Sequence, residues 1–144
     1  MTASTLCRTS AGGFLLLGLL AGAWKYQHIF SSRDARAPVY VDVAHRAALM
    51  YAFACALLAD LVGRSAWSAP VNFAASVLMI TFFALAMLGY VVHGALRDTD
   101  NQLAQPHRLG QRTIPKAAML TFMSALILGE VGGFVVIFSG YLAR

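Results

Sequence analysis

The sequence predicts an all-α fold, an integral membrane four-helix bundle, on two observations. The first is composition: 59% of the 144 residues are hydrophobic and only 12% charged, against roughly 25% charged in an average soluble chain. Mean hydropathy is +0.67. The second is arrangement. The apolar residues fall into four runs, Gly12–Phe30, Val41–Val62, Val71–Val92 and Ala117–Leu142. Each is near or above the ~20 residues with which an α-helix crosses ~30 Å of hydrocarbon. A helix satisfies its own backbone N–H and C=O groups, as a lipid environment demands. No soluble domain fits in what remains, so residues 1–144 are expected to form a single transmembrane domain with helices at about 12–30, 41–62, 71–94 and 116–142.

In the first element, Arg8, the apolar stretch Gly12–Leu20 and Ala21-Gly22-Ala23 have the look of a signal peptide with its cleavage site. The apolar character continues through Trp24, Tyr26, Ile29 and Phe30, however, which predicts a retained helix ending in an aromatic interface patch. Ser31–Pro38 is a short polar loop. Asp42 then stands in the first turn of the second helix, where the helix dipole favours an anion. Gly63–Pro70 is a tight turn with an interfacial Trp67, and Pro70 suits a helix start. The third helix is almost purely apolar and ends near His93-Gly94. Arg97–Lys116 is the longest loop, and at ~20 residues it is expected to be functional or disordered. Pro115 opens the fourth helix. Two GxxxG patterns, Gly18/Gly22 and Gly129/Gly133, with Gly132 and Gly140 beside the second, predict close helix–helix approach. Such faces serve bundle packing or form a flat wall against a ring-shaped cofactor or a neighbouring subunit.

The net charge of +5 does not predict nucleic-acid binding, because no Lys/Arg cluster has aromatics interleaved for stacking. It carries topology instead. Arg8, Arg64 and Arg144 fall with the termini and the middle loop, whereas Lys25, Arg33, Arg36, Arg46, Arg97, Arg108, Arg112 and Lys116 fall with the first and third loops. By the positive-inside rule, loops one and three are expected in the cytoplasm and both termini outside, in a bacterial-type inner membrane. Cys7 and Cys55 suggest neither a disulfide nor a zinc spacing. No P-loop, HExxH, GxSxG or paired-carboxylate motif supports hydrolysis or phosphoryl transfer.

Function is expected to show in the ionisable groups inside the apolar runs, since hydrocarbon cannot solvate them. His45 lies about one turn into the second helix, with Ala48, Leu49 and Ala52 on its face. Small neighbours leave space for a flat ligand such as haem bound through an imidazole nitrogen; the alternative is a histidine near the interface, hydrogen-bonded to a loop carbonyl. Glu130 is the one charge in the 26-residue run Ala117–Leu142. It is expected to be protonated or paired, as a proton carrier, a donor to substrate or an interhelical tether. Asp60 and Arg64 are spaced for a local ion pair. His28, His93 and His107 are expected to be solvated or interfacial. Polar and ring-bearing residues, among them Tyr26, Tyr40 and Tyr90, gather toward one end of the bundle, which predicts one site there rather than a path across the membrane.

The layout resembles the small four-helix membrane isomerases, styrene oxide isomerase and the hydroxylaminobenzene mutases, over nearly the whole chain. The residues that carry the resemblance are GLLAGAW at 18–24, Ala44-His45 opening the second helix, Gly89-Tyr90 near the end of the third, Asn101-Gln102 in the following loop, and LILGEVGGFVVIFSGY at 126–141. The resemblance implies that His45 ligates a b-type haem in a trimer, with ferric iron as Lewis acid, and that Tyr90 faces the substrate. The chain departs from the family in three places: Tyr51 stands where the family has an Asn, or an Asn-Gly pair, about six residues after its His, Glu130 has no counterpart, and the loop after the first helix is shorter.

The expected function is therefore isomerisation of a small apolar molecule entering from the bilayer. His45 holds the cofactor, haem b, while Tyr90, Tyr51 and Glu130 address the substrate, in a homo-oligomer. Two rivals stand beside it: a non-enzymatic subunit or assembly factor of a membrane complex, and a small proton-coupled transporter using Glu130.

Overall fold

The structure, a computed structural model, describes all residues 1–144. It has four long helices, α1 (Ala3–Ser31), α2 (Val39–Gly63), α3 (Ala69–Leu96) and α4 (Lys116–Leu142). Each is long and apolar enough to cross a membrane. Between α3 and α4 lies a small antiparallel hairpin, β1 (Arg108–Leu109) with β2 (Arg112–Thr113). The chain is an all-α four-helix bundle, and many of the side chains on its outer face are large and apolar, among them Leu16, Leu20, Phe53, Leu128 and Val131.

α1 begins at Ala3 rather than at the apolar run. Thr2 caps it, its hydroxyl accepting from the Thr5 amide at 3.1 Å, and the Ser4 hydroxyl donates to the Ala59 carbonyl at 3.1 Å, tying the start of α1 to the end of α2. α2 is the central element. Its buried residues recur at helical spacing (Val41, Ala44, Ala48, Ala52, Cys55, Ala59, Val62), and their small size draws α1 in along its length. α4 packs on α3 and more lightly on α2. It buries only Gly129, Gly133, Ile137 and Gly140, one stripe at i, i+4, i+8 and i+11. At Gly133 a Cβ would lie 2.5 Å from Met79 Cγ and 3.2 Å from the Ala75 carbonyl oxygen, so this helix contact depends on glycine.

At one end of the bundle, Trp67 Nε1 donates to the Val136 carbonyl at 3.0 Å and to the Ser139 hydroxyl at 3.2 Å, fixing the turn between α2 and α3 to α4. Arg64 pairs with Asp60 at 2.8 Å, as the spacing predicts. At the other end the third loop is ordered and folds over the helices. Gly110, at φ +60°, sits at the hairpin turn; glycine at the first central position is what a two-residue hairpin of this sense requires. Tyr40 Oη accepts from the Gln102 amide at 2.7 Å, joining loop to bundle. His93 and His107, expected to be solvated or interfacial, are instead buried at 5% and 7% exposure: the loop covers the former and contains the latter. Cys7 and Cys55 are both free and fully buried, and they lie near one another across α1 and α2.

Candidate functional site

The structure distributes the four candidate residues over two places. His45 belongs to the α1–α2 seam. Its Nδ1 is 2.8 Å from the Gly18 carbonyl oxygen. A carbonyl oxygen only accepts, so Nδ1 carries the proton and Nε2 keeps its lone pair. The ring rests on Gly22, where a Cβ would come within 2.9 Å of Cε1 and 3.0 Å of Nδ1. The first GxxxG is thus the floor beneath His45. One turn away, Asp42 joins Lys25 at 2.5 Å and Arg46 at 2.8 Å, locking the two helices at the same level.

The imidazole fits an axial metal bond in one respect: a metal-ligating histidine commonly gives its other N–H to a carbonyl, which fixes tautomer and orientation. Nε2 has no hydrogen-bond partner in the chain. The larger cavities border neither His45 nor Tyr51, Tyr90 or Glu130, so a macrocycle would have to lie on the outer face of α1 and α2. No three His, Cys, Asp or Glu side chains gather to hold a bare ion.

Tyr51, Tyr90 and Glu130 form the second place, one residue each from α2, α3 and α4. Tyr51 and Tyr90 are mutual neighbours, and the Glu130 carboxyl acts on both. The Tyr51 ring stacks on Phe83 with centroids 4.3 Å apart and meets Phe14 at 5.7 Å. The Tyr90 ring stacks on Tyr40 at 6.0 Å. Glu130 Oε1 is buried and has no hydrogen-bond partner, and no basic side chain forms an ion pair with this carboxyl. Two phenols and a carboxyl amid aromatic rings can offer O–H groups to one small oxygen- or nitrogen-bearing molecule. His45 is not part of this group. Tyr51 is six positions further along α2, about 240° around the helix, and faces α3.

A third cluster escapes the sequence reading. His93 Nδ1 lies 2.8 Å from Asp98 Oδ1, with both side chains 5% exposed. Asp98 Oδ2 accepts from the Gly110 amide at 2.5 Å. Burial disfavours the Asp98 carboxylate, but the hydrogen bonds from His93 and Gly110 outweigh it and hold the carboxyl below its usual range. The pairing spans the end of α3 and depends on Arg97, whose left-handed backbone (φ 51°) folds the chain back toward His93. A non-glycine residue in that conformation has no signature in the sequence.

No protein-family model matches the chain, and neither does any curated protein or solved structure.

Proposed function

We propose that the protein is an intramembrane isomerase acting on a small apolar molecule with one reactive oxygen or nitrogen, such as an aryl epoxide. The observation that carries this reading is Glu130 Oε1, a buried carboxyl oxygen without a partner, within electrostatic reach of two tyrosines contributed by other helices. A buried polar atom left unpaired costs about 1–3 kcal/mol, and a substrate heteroatom would relieve that cost. Glu130, Tyr51 and Tyr90 act as O–H donors to the substrate oxygen. As the C–O bond opens, charge grows on that oxygen and the donors stabilise it. A hydrogen then migrates to the adjacent carbon with its electron pair, and a carbonyl forms. Nothing is added or removed overall. Phe83 and Phe14 exclude water, which would otherwise trap the cation.

The resemblance to the membrane isomerases supports haem b as cofactor. His45 Nε2 would hold it, and the group would supply a Lewis-acidic iron. His45 opens at the α1–α2 seam and the Tyr–Glu cluster faces α3 and α4. The trimer implied by the resemblance would join two different surfaces of one chain head to tail. The count of basic residues supports a bacterial-type inner membrane with both termini outside and loops one and three in the cytoplasm.

The test is turnover of aryl epoxides and N-arylhydroxylamines by the purified protein in nanodiscs. Carbonyl or aminophenol product, lost in Glu130→Gln and Tyr90→Phe, supports the reading, and so does a Soret band that His45→Ala abolishes. A colourless protein that takes up no haemin removes the haem, and absence of turnover with every such substrate removes the isomerase. The unpartnered Glu130 also suits proton-coupled transport, which substrate-driven pH change in liposomes, absent in Glu130→Gln, would reveal.

A further inference from the structure

We propose that the end of the bundle covered by the third loop holds a second small-molecule site, where the His93 imidazole accepts a hydrogen bond from the O–H of a ring-sized, uncharged, otherwise apolar molecule. The site consists of residues other than Tyr51, Tyr90, Glu130 and His45, and it stands whether or not the isomerase reading does.

A cavity of about 170 Å³ lies between the end of α3, the third loop and the start of α4. Gly89 and His93, one turn apart, form its α3 wall; Gln102 and Ile114 come from the loop, and Phe122 and Ala118 from α4. The cavity opens on the α4 side, where Ala118 and Phe122 are exposed, and it has room for about one ring. The missing side chain at Gly89 keeps it open, and a Cβ there would lie 3.9 Å from Gln102 Oε1.

The imidazole in this wall is prepared for one task. Its Nδ1 is committed to Asp98, and an ionised carboxylate only accepts, so the proton is on Nδ1. In the neutral ring Nε2 is then an acceptor, and it has no partner in the chain. Asp98 is itself fixed by the Gly110 amide, so the hairpin turn holds the ring at second hand. The neighbouring Tyr40 ring lies 5.1 Å away from the imidazole, and its hydroxyl oxygen accepts from the Gln102 amide, with no hydrogen bond to His93. A pair serving only to cap α3 has no need of a free nitrogen on the wall of an apolar cavity. The chemistry that fits is one donor on an apolar ring: a charged ligand would find no counter-ion, because no Lys, Arg, Asp or Glu lines the cavity and both Asp98 oxygens are taken.

Phenol and benzene separate the possibilities, since they share size and differ in the donor. Protein labelled with ¹⁵N at histidine, in nanodiscs, is titrated with each. One imidazole, absent from His93→Gln, is expected in the Nδ1–H form. Its Nε2 resonance should move saturably with phenol and stay still with benzene, and phenol should bind at least about tenfold more tightly, a difference of ~1.4 kcal/mol. Ala118→Phe fills the cavity from α4 without touching Asp98. It should abolish the phenol response and preserve the Nδ1–H signature, which keeps the test valid if His93→Gln does not fold. Equal binding of the two probes, no saturable response to phenol, or a phenol response that survives Ala118→Phe would each overturn the proposal.

Discussion

α2 and α4 are both transmembrane helices of similar length, 25 and 27 residues, yet they are held in different ways. α2 buries ten residues and α4 four. The polar groups of α2 are tied: His45 to the Gly18 carbonyl, Asp42 to Lys25 and Arg46, Tyr40 to the third loop. The one acidic group of α4, Glu130, has an unpartnered oxygen, and the helix is fastened near its end by Trp67. Packing and hydrogen bonding fix α2 as the scaffold. α4 leans chiefly on α3 through glycines, Gly129 against Phe82 and Gly133 against Met79 and Ala75, and a helix with few buried contacts opens at lower free energy than one with many. The unpartnered carboxyl thus sits on the more lightly packed helix, while Tyr51 and Tyr90 near it come from the better-packed α2 and α3.

The sharpest way to break this contrast is to disturb the fixed side. Gly22→Leu places a side chain where even a Cβ would come within 2.9 Å of the His45 ring. Overpacking of this kind costs about 1–3 kcal/mol, and loss of the His45–Gly18 bond adds roughly 1 kcal/mol. Reversible unfolding in mixed micelles should show a loss of about 3 kcal/mol. A stability equal to wild type would mean that the α1–α2 seam is not the rigid one.

On the yielding side, Glu130→Gln keeps size and removes the acid. Loss of a positioned general acid costs typically 10²–10⁴-fold in rate, so turnover should fall at least ~100-fold. The unfolding midpoint should stay near wild type, because Glu130 Oε1 makes no hydrogen bond that the change would break. A large fall in stability instead would make Glu130 a tether.

The sequence made the bundle legible because hydropathy over twenty residues is a strong signal in a chain that must satisfy its backbone in lipid. It hid the start of α1, since Ser4, Thr5 and Arg8 break the apolar pattern while Thr2 caps the helix. It hid the hairpin too, because two-residue strands are too short for alternation. Tyr51, Tyr90 and Glu130 were each recognisable as polar groups in apolar runs, but their convergence depends on the rotation of three helices about their own axes, which no single run encodes. The separation of His45 from Tyr51 was open to helix geometry, six positions being far from a whole number of turns. His93 and Asp98 were hidden by the reversal at Arg97.

The loop that covers this end is held by charge, and acid should loosen it. Asp98 has a folded-state value below that of the unfolded chain, which is about 3.9. Its stabilisation is therefore fully present above that value and is lost as pH falls through the lowered folded value. Proteolysis of the third loop should rise below about pH 4, and Asp98→Asn should show raised cleavage already at neutral pH with little further change in acid. An Asp98→Asn loop as protected as wild type would leave the hairpin held by Tyr40 and Gln102 instead.

The smallest effect lies at Arg97, the hinge of the same loop. Its left-handed backbone (φ 51°) places the Arg97 amide 2.8 Å from the His93 carbonyl and turns the chain so that Asp98 reaches the imidazole. A side chain in that conformation is strained by roughly 1 kcal/mol, which glycine relieves. Glycine also loosens the unfolded chain, offsetting about 0.4–1 kcal/mol of the gain, and the change removes the contact of Arg97 with His28 at 3.3 Å, an exposed one worth little. Arg97→Gly should therefore leave unfolding stability within about 0.5 kcal/mol of wild type, whereas Arg97→Val, whose branched side chain tolerates the left-handed region poorly, should expose the third loop to protease. Equal protection of the two variants would show that the turn does not set the position of Asp98.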